Sequence, residues 1–242
     1  MPYTLYYWPT IQGRGEFVRL ALEEAGAAYV DVARGPDSKG RGMRKMMALL
    51  ESDAVLRPPF APPFLEDGDV VVAQTAAILF YLGPRLGLVP ADETSRLWAQ
   101  QIQLTLTDLV AETHDTHHPI STGDYYENQK PEARRRAKGF REERIPKFLG
   151  WCERILERNP SGPKHLVGAA LSYPDLSLFQ VVAGLRYAFP KATGRALADL
   201  PEVTALHAAV MRRPNIAAYL ESERRIPFNT EGIFRHYPEL DG

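Results

Sequence analysis

Near the N-terminus, Tyr6-Tyr7-Trp8 is followed within a few residues by Gly13-Arg14-Gly15-Glu16 and then the amphipathic run Phe17, Val18, Leu20, Ala21, Leu22. A β-rich segment, a glycine-hinged turn and a helix in quick succession bring the Tyr7 hydroxyl close to the first amides of a helix. Unpaired helix amides and the positive end of the helix dipole favour an anion. A second helix start, at Gln74-Thr75 ahead of Ala76, Ala77, Ile78 and Leu79, offers the same chemistry to a carboxylate. Thr75 or Gln74 can also cap that helix, with or without a ligand.

Other reactive residue types read differently. Cys152 is the single cysteine, so the chain has no internal disulfide and no Cys-X-X-Cys pair. It lies at the apolar phase of a helix with Phe148, Ile155 and Leu156, as an inert core thiol does. His114, His117 and His118 are spaced to share one helical face, as metal ligands would be. No acid or cysteine cluster accompanies them and Pro119 ends the helix, so we read them as exposed or pocket-lining, with no metal. Ser172 and Asp175 have the spacing of a capping box ahead of Leu176, Leu178, Phe179 and Val182.

These groups need a scaffold, and the element order describes it. Residues 3–8 and 28–33 read as parallel strands around a helix at 15–25 that ends at Gly26. A Gly/Lys/Arg-rich loop from Arg34 to Gly42 leads to a helix at 43–50. Two β-rich runs flank Asp67-Gly68 as a hairpin at 64–72, and a further helix starts at Gln74-Thr75 and closes before Gly83-Pro84. From Ser95 onward strand signals vanish. Periodic helical stretches follow at 97–114, 131–158, 173–188, 201–211 and 215–224. The expectation is an α/β domain at 1–84, a linker at 84–94 and an all-helical bundle at 95–242. At 242 residues and 45% hydrophobic, the chain is long enough for two small domains. A formal net charge of −1 gives no global attraction to nucleic acid or to an anionic membrane, and no apolar run approaches the ~20 residues of a membrane span. No signal segment is evident, so the expected setting is cytoplasmic.

Four segments in this order resemble the cytosolic glutathione transferases over nearly the whole chain: Tyr7-Trp8 with Gly13-Arg14, Pro63-Phe64-Leu65-Glu66-Asp67-Gly68-Asp69, Gln74 through Gly83, and Leu166-Val167-Gly168 with Ser172-Tyr173-Pro174-Asp175. The first is similar to the tyrosine-type classes, mu, pi and sigma among them. The resemblance implies a thioredoxin-like N-terminal domain, a helical C-terminal domain and a homodimer. It implies glutathione as co-substrate with no further cofactor, and conjugation of its thiolate to a small hydrophobic electrophile, with a possible peroxidase side activity.

By the same resemblance, Tyr7 is the catalytic residue. A Tyr hydroxyl that donates to sulfur favours the thiolate over the thiol. Alternation along the strand separates Tyr7 from Tyr6. The resemblance also assigns glutathione binding to Trp8, Arg14, Lys45, Pro62, Pro63, Gln74 and Thr75, with Asp108, or Glu112 one turn later, reaching across the dimer. Phe60, His117, His118, Phe234 and Tyr237 would line the electrophile pocket. Pro63 is expected cis. The chain departs from the family at Pro62, which has no N–H where the family uses one on the ligand, so one main-chain bond to glutathione is expected to be lost. The alternative reading is a noncatalytic binding or scaffold protein that keeps the fold.

Overall fold

The computed structural model describes residues 2–242. Strand β1 (Tyr3–Tyr6), helix α1 (Gly15–Glu24) and strand β2 (Tyr29–Asp31) form the parallel βαβ unit. Helix α2 (Gly42–Leu50), strands β3 (Phe64–Asp67) and β4 (Val70–Ala73), and helix α3 (Thr75–Arg85) follow. The sheet order is β2-β1-β3-β4, with β1 parallel to β2 and antiparallel to β3, and β4 antiparallel to β3. β1 pairs Leu5 with Leu65 and Tyr6 with Phe64. Leu5 and Leu65 pack on Val18 and Leu22 of α1 and on Ile78 and Leu82 of α3. Tyr6 and Phe64 lie on the opposite face with Met46 of α2. This is a thioredoxin-like α/β arrangement, and the remainder of the chain is helical.

Two boundaries differ from the sequence pattern for reasons of proline chemistry. β1 stops at Tyr6, not at residue 8: continuing the register would set Tyr7 opposite Pro63, which has no N–H to give the ladder. α3 continues past Gly83-Pro84 to Arg85, because near a helix end Pro84 removes only one ladder bond, and the Leu88 N–H then bonds the Gly83 carbonyl at 2.8 Å.

The second half begins with α4 (Glu93–Asp115), whose N-cap Asp92 accepts the Ser95 N–H at 2.8 Å. It continues as α5 (Lys130–Gly139), α6 (Ile145–Arg158), α7 (Tyr173–Ala188), α8 (Pro190–Leu197), α9 (Pro201–Met211), α10 (Pro214–Leu220) and a short α11 (Pro238–Asp241). The stretch expected as one helix at 131–158 is interrupted by a π-helical turn, Phe140–Arg144, between α5 and α6. Pro146 has no N–H for the ordinary bond to residue 142, and the ladder widens just ahead of it. The sequence pattern did not mark α8 as a separate element.

The largest hydrophobic cluster joins the two halves. Phe17, Leu20 and Ala21 of α1 and Leu79 of α3 pack with Ile102 and Leu106 of α4 and Leu178 and Val182 of α7. The central helix α7 is anchored at its start by Asp175, which is fully buried. Its carboxylate accepts the Leu166 N–H at 2.7 Å, the Ser172 N–H at 2.7 Å and the Ser172 hydroxyl at 2.8 Å. Cys152 is also buried, and burial pushes its thiol up to about 12, which leaves it inert.

Asp175→Ala strands three buried donors, and urea unfolding should show a loss of about 3 kcal/mol; wild-type stability in this variant would contradict the capping role. His207 gives a second prediction. Burial lowers its imidazole to about 4, its ring stacks on Phe179 at 4.9 Å, and its Nε2 has no partner. The unfolded state therefore takes up a proton near pH 6.5 that the folded state refuses until about pH 4, so stability falls with pH across that window. His207→Phe should flatten that acid limb in denaturation curves measured between pH 7 and pH 4.5.

Candidate functional site

Strand alternation puts Tyr7 on the same side of the sheet as Leu5, facing α1, and it is 3% exposed. Its hydroxyl oxygen accepts the Arg14 backbone N–H at 2.8 Å. Gly13 and Gly15 make this approach possible. A Cβ on Gly13 would fall 2.1 Å from the Tyr7 oxygen and one on Gly15 would fall 2.5 Å from the ring, and Gly13 also has a φ of +46°. Burial raises the Tyr7 pKa, while the Arg14 amide and the charges of Arg14 and Arg19 pull against it. The net direction is upward, so Tyr7 is a protonated phenol at neutral pH. Its oxygen already accepts one bond and its own proton is available to give. Tyr6 differs: it stacks on Phe64 at 4.4 Å and donates to Glu66.

Beneath this turn runs a buried ionic network. Glu16 and Arg19, both fully buried, pair at 3.2 Å on α1, and the Arg19 Nε donates to Asp31 of β2 at 2.8 Å. Burial opposes the charge on Arg19, but Glu16 and Asp31 outweigh it and hold the guanidinium protonated. Glu16 also accepts the Tyr219 hydroxyl of α10 at 2.6 Å and a bond from Arg225. Arg225 donates to Gln180 of α7 at 3.0 Å, Gln180 donates to Gln12 at 2.8 Å, and Gln12 donates to the Ile226 carbonyl. The Arg19 guanidinium carbon lies 5.8 Å from the Tyr7 ring centre. Sequence reasoning missed Gln12, Arg19, Asp31, Gln180 and Arg225 and treated Glu16 only as part of the turn. The available signal was a charged i, i+3 pair set among Phe17, Val18, Leu20 and Leu22.

The structure brings three of the expected binding residues together. Arg14, Gln74 and Thr75 line one cavity with Phe17 and with Gln103, Thr107 and Val110 of α4. The Thr75 hydroxyl donates to the Arg14 carbonyl at 3.2 Å, fastening the Tyr7 turn to the N-terminus of α3. Gln74, at that N-terminus, has a φ of +69° and is the one non-glycine residue with positive φ among the described residues. Such backbone strain concentrates at ligand clamps. The peptide bond from Pro62 to Pro63 is cis. Trp8 packs on the cluster of Tyr6, Met46 and Phe64.

The remaining residues are dispersed. Lys45 and Asp108 are exposed, and Glu112 is engaged by Arg144 through a forked pair at 2.6 to 3.1 Å. Phe60 stands in solvent at 93% exposure, whereas Phe234 is buried against Gly184 of α7, where a Cβ would lie 2.4 Å from its ring. His117 is buried at the end of α4, with its Nε2 2.8 Å from the Ile233 carbonyl oxygen. Burial lowers His117 to about 2, lowers His114 to about 4 and moves His118 downward too, so all three are neutral at pH 7. Tyr237 stacks on Tyr126 at 3.9 Å and sits 6.4 Å from the His117 ring. The C-terminal tail therefore closes over this end of the molecule: Asn229 donates to the Thr10 carbonyl at 2.8 Å, and residues 227–229 and 232–234 line a small cavity together with Gln12 and Gly13.

Residues 114–223 match the family model described as "Glutathione S-transferase, C-terminal domain". The chain is 28% identical over 225 residues to "Glutathione S-transferase P 1" of Xenopus laevis, covering 92% of this chain and 93% of that one. It is 26% identical over 236 residues to "Glutathione S-transferase P" of Bos taurus, covering 96% and 98%. Among solved structures, the pi-class glutathione S-transferase of Onchocerca volvulus superposes with a TM-score of 0.70 at 20% identity, covering 95% of this chain and 99% of that one. Prostaglandin synthase D of Nilaparvata lugens superposes with a TM-score of 0.68 at 19% identity, covering 94% and 100%. The structural likeness shows the fold, and the relatives at 26–28% identity support a glutathione transferase family for the chain.

The ionic network has a measurable consequence. Glu16→Ala leaves Arg19 and Arg225 without their shared carboxylate and should cost about 3–5 kcal/mol in chemical denaturation. Glu16→Gln, which keeps the size and an acceptor, should cost less. An alanine variant within about 1 kcal/mol of wild type would contradict the role given to the pair.

Proposed function

We propose that the chain is a glutathione transferase of the tyrosine type, which ionises the glutathione thiol with Tyr7 and adds the sulfur to a small hydrophobic electrophile. The relatives support the transferase activity and the glutathione substrate. The finer reading rests on one observation: the buried Tyr7 hydroxyl accepts the Arg14 amide at 2.8 Å and keeps its own proton free to donate. A donor polarised in this way stabilises an adjacent thiolate. A free thiol has a pKa of about 8.5, and lowering it by about two units, worth about 2.7 kcal/mol, makes the bound sulfur mostly anionic at neutral pH.

In this reading the N-terminus of α3, with Gln74 and Thr75, receives the γ-glutamyl carboxylate, and Arg14 adds positive charge to the same cavity. Pro62, Pro63 and Trp8 border the cysteinyl and glycyl parts, with Lys45 at the outer edge. His118, Tyr237 and the tail supply the wall on the electrophile side. His117 and Phe234 act from beneath that wall. Asp108 is the exposed acid near the middle of α4 that reaches a second subunit in a homodimer, since Glu112 is already held by Arg144. The protein works in the cytoplasm, a setting compatible with the lack, among the described residues, of a helix long and apolar enough to cross a membrane.

A noncatalytic binding or scaffold role is the second reading, and one feature favours it: Pro62, next to the cis-proline, has no N–H to offer a peptide ligand. Tyr7→Phe separates the two. In a transferase, the variant retains glutathione binding while the thiolate absorbance of the bound ligand titrates back toward the value of free glutathione, and turnover of a model electrophile falls at least about a hundredfold. Unchanged turnover would refute the role of Tyr7. Binding without a lowered thiol pKa in the wild type would support the noncatalytic reading.

A further inference from the structure

We propose that His114, His117 and His118, at the C-terminal end of α4, form a site for a divalent late first-row transition ion, with Zn²⁺ the first choice. One potential donor atom from each imidazole lies within 4.8 Å of the other two. Spacings of three and four residues bring the rings to one face of the helix end. The centres of the His114 ring and of the other two rings are 5.0 Å and 4.8 Å apart, and His117 and His118 are separated by 4.7 Å.

His117 supplies the most direct observation. Its Nε2 lies 2.8 Å from the Ile233 carbonyl oxygen, and a carbonyl can only accept. Nε2 therefore carries the hydrogen and Nδ1 is left with a bare lone pair. A bond of this kind to a backbone carbonyl is what orients and fixes the tautomer of metal-bound histidines. The Nδ1 atom of His117 faces the Nδ1 atom of His118 at 2.5 Å. If His118 carries its hydrogen on Nδ1 it donates to His117 there; if it carries it on Nε2, two lone pairs face each other and a cation between them removes the repulsion.

An ion satisfies both atoms and engages His114 as well. With metal–nitrogen bonds of about 2.0–2.1 Å, tetrahedral donors stand about 3.3 Å apart. The His117–His118 pair, at 2.5 Å, must open by about 0.8 Å to reach that span, and the donors farthest apart, at up to 4.8 Å, must close by about 1.5 Å. The His114 side chain is 22% exposed and has room to turn. An all-imidazole set suits Zn²⁺, Cu²⁺ or Ni²⁺ and not the oxygen-seeking Mg²⁺ or Ca²⁺. Three protein donors leave a fourth position for water. The Arg235 guanidinium faces all three imidazoles and Arg14 faces His114, so both charges oppose a bound cation; the Asp115 carboxylate, 4.0 Å from His114 and 3.8 Å from Arg136, is the nearby counter-charge. Because Ile233 belongs to the C-terminal tail, an ion on His117 would also hold the tail in place.

The test uses the full chain without an affinity tag, stripped with a chelator and titrated with Co²⁺ and Zn²⁺ by visible absorption and calorimetry. The expected result is one ion per chain, with the intense visible bands of four-coordinate Co²⁺. His118→Asn and His114→Asn should each weaken binding at least about tenfold with unchanged circular dichroism. These two rings are the less buried of the three, and if one variant fails to fold the other carries the test. No stoichiometric binding by the wild type would overturn the proposal and leave a hydrogen-bonded imidazole stack. Undiminished binding in the folded variants would overturn it as well, by locating the ion elsewhere. Since glutathione is absent from the titration, neither outcome depends on the transferase reading.

Discussion

A single buried carboxylate, that of Glu16, holds together parts of the chain that lie far apart in sequence. It pairs with Arg19 one turn along α1, accepts the Tyr219 hydroxyl from α10 and takes a bond from Arg225 just beyond it. Removing two charges from water costs several kcal/mol each, and the cost is offset only where partners are complete and close. Here completeness requires α1, β2, α7, α10 and the tail to meet at one place. The interaction therefore acts less as a source of net stability than as a condition on geometry: any packing that separates these elements leaves a buried charge unpaired.

That condition bears directly on the Tyr7 turn. Glu16 and Arg19 lie in the first turns of the helix whose N-terminal amide, at Arg14, is bonded to the Tyr7 oxygen. Fixing the helix fixes the amide, and the amide fixes the phenol. Thr75 extends the chain of bonds to the start of α3, where Gln74 holds a strained backbone at a second helix N-terminus. In the proposed mechanism the two helix ends and one phenol are held apart at set distances before the ligand arrives, so little reorganisation is needed when the thiol ionises.

Much of this was readable in the residues. The βαβ unit, the hairpin and the helical second half follow from hydrophobic periodicity and turn chemistry, both local. The Ser172-Asp175 box follows from its spacing, whereas the cis-proline and the grouping of Arg14 with Gln74 and Thr75 came through the resemblance to glutathione transferases. The distant partners of Glu16 were not readable, because Tyr219 and Arg225 lie more than two hundred residues away and nothing local marks an exposed-looking Arg as the counterion of a buried acid. The π-helical turn ahead of Pro146 was missed because periodicity averages over a one-residue widening. The separation of Phe60 from Phe234, one in solvent and one beneath Gly184, is likewise a tertiary outcome that side-chain type does not encode.

The decisive quantity is the number of protons that leave the thiol when glutathione binds. Calorimetric titration at pH 7 in two buffers of different ionisation enthalpy measures it directly on the wild-type chain. If the preorganised phenol lowers the thiol from about 8.5 to about 6.5, about 0.7 proton per site is released at pH 7. Saturable binding with no proton release would contradict the account, since the sulfur would then sit in the site as a neutral thiol.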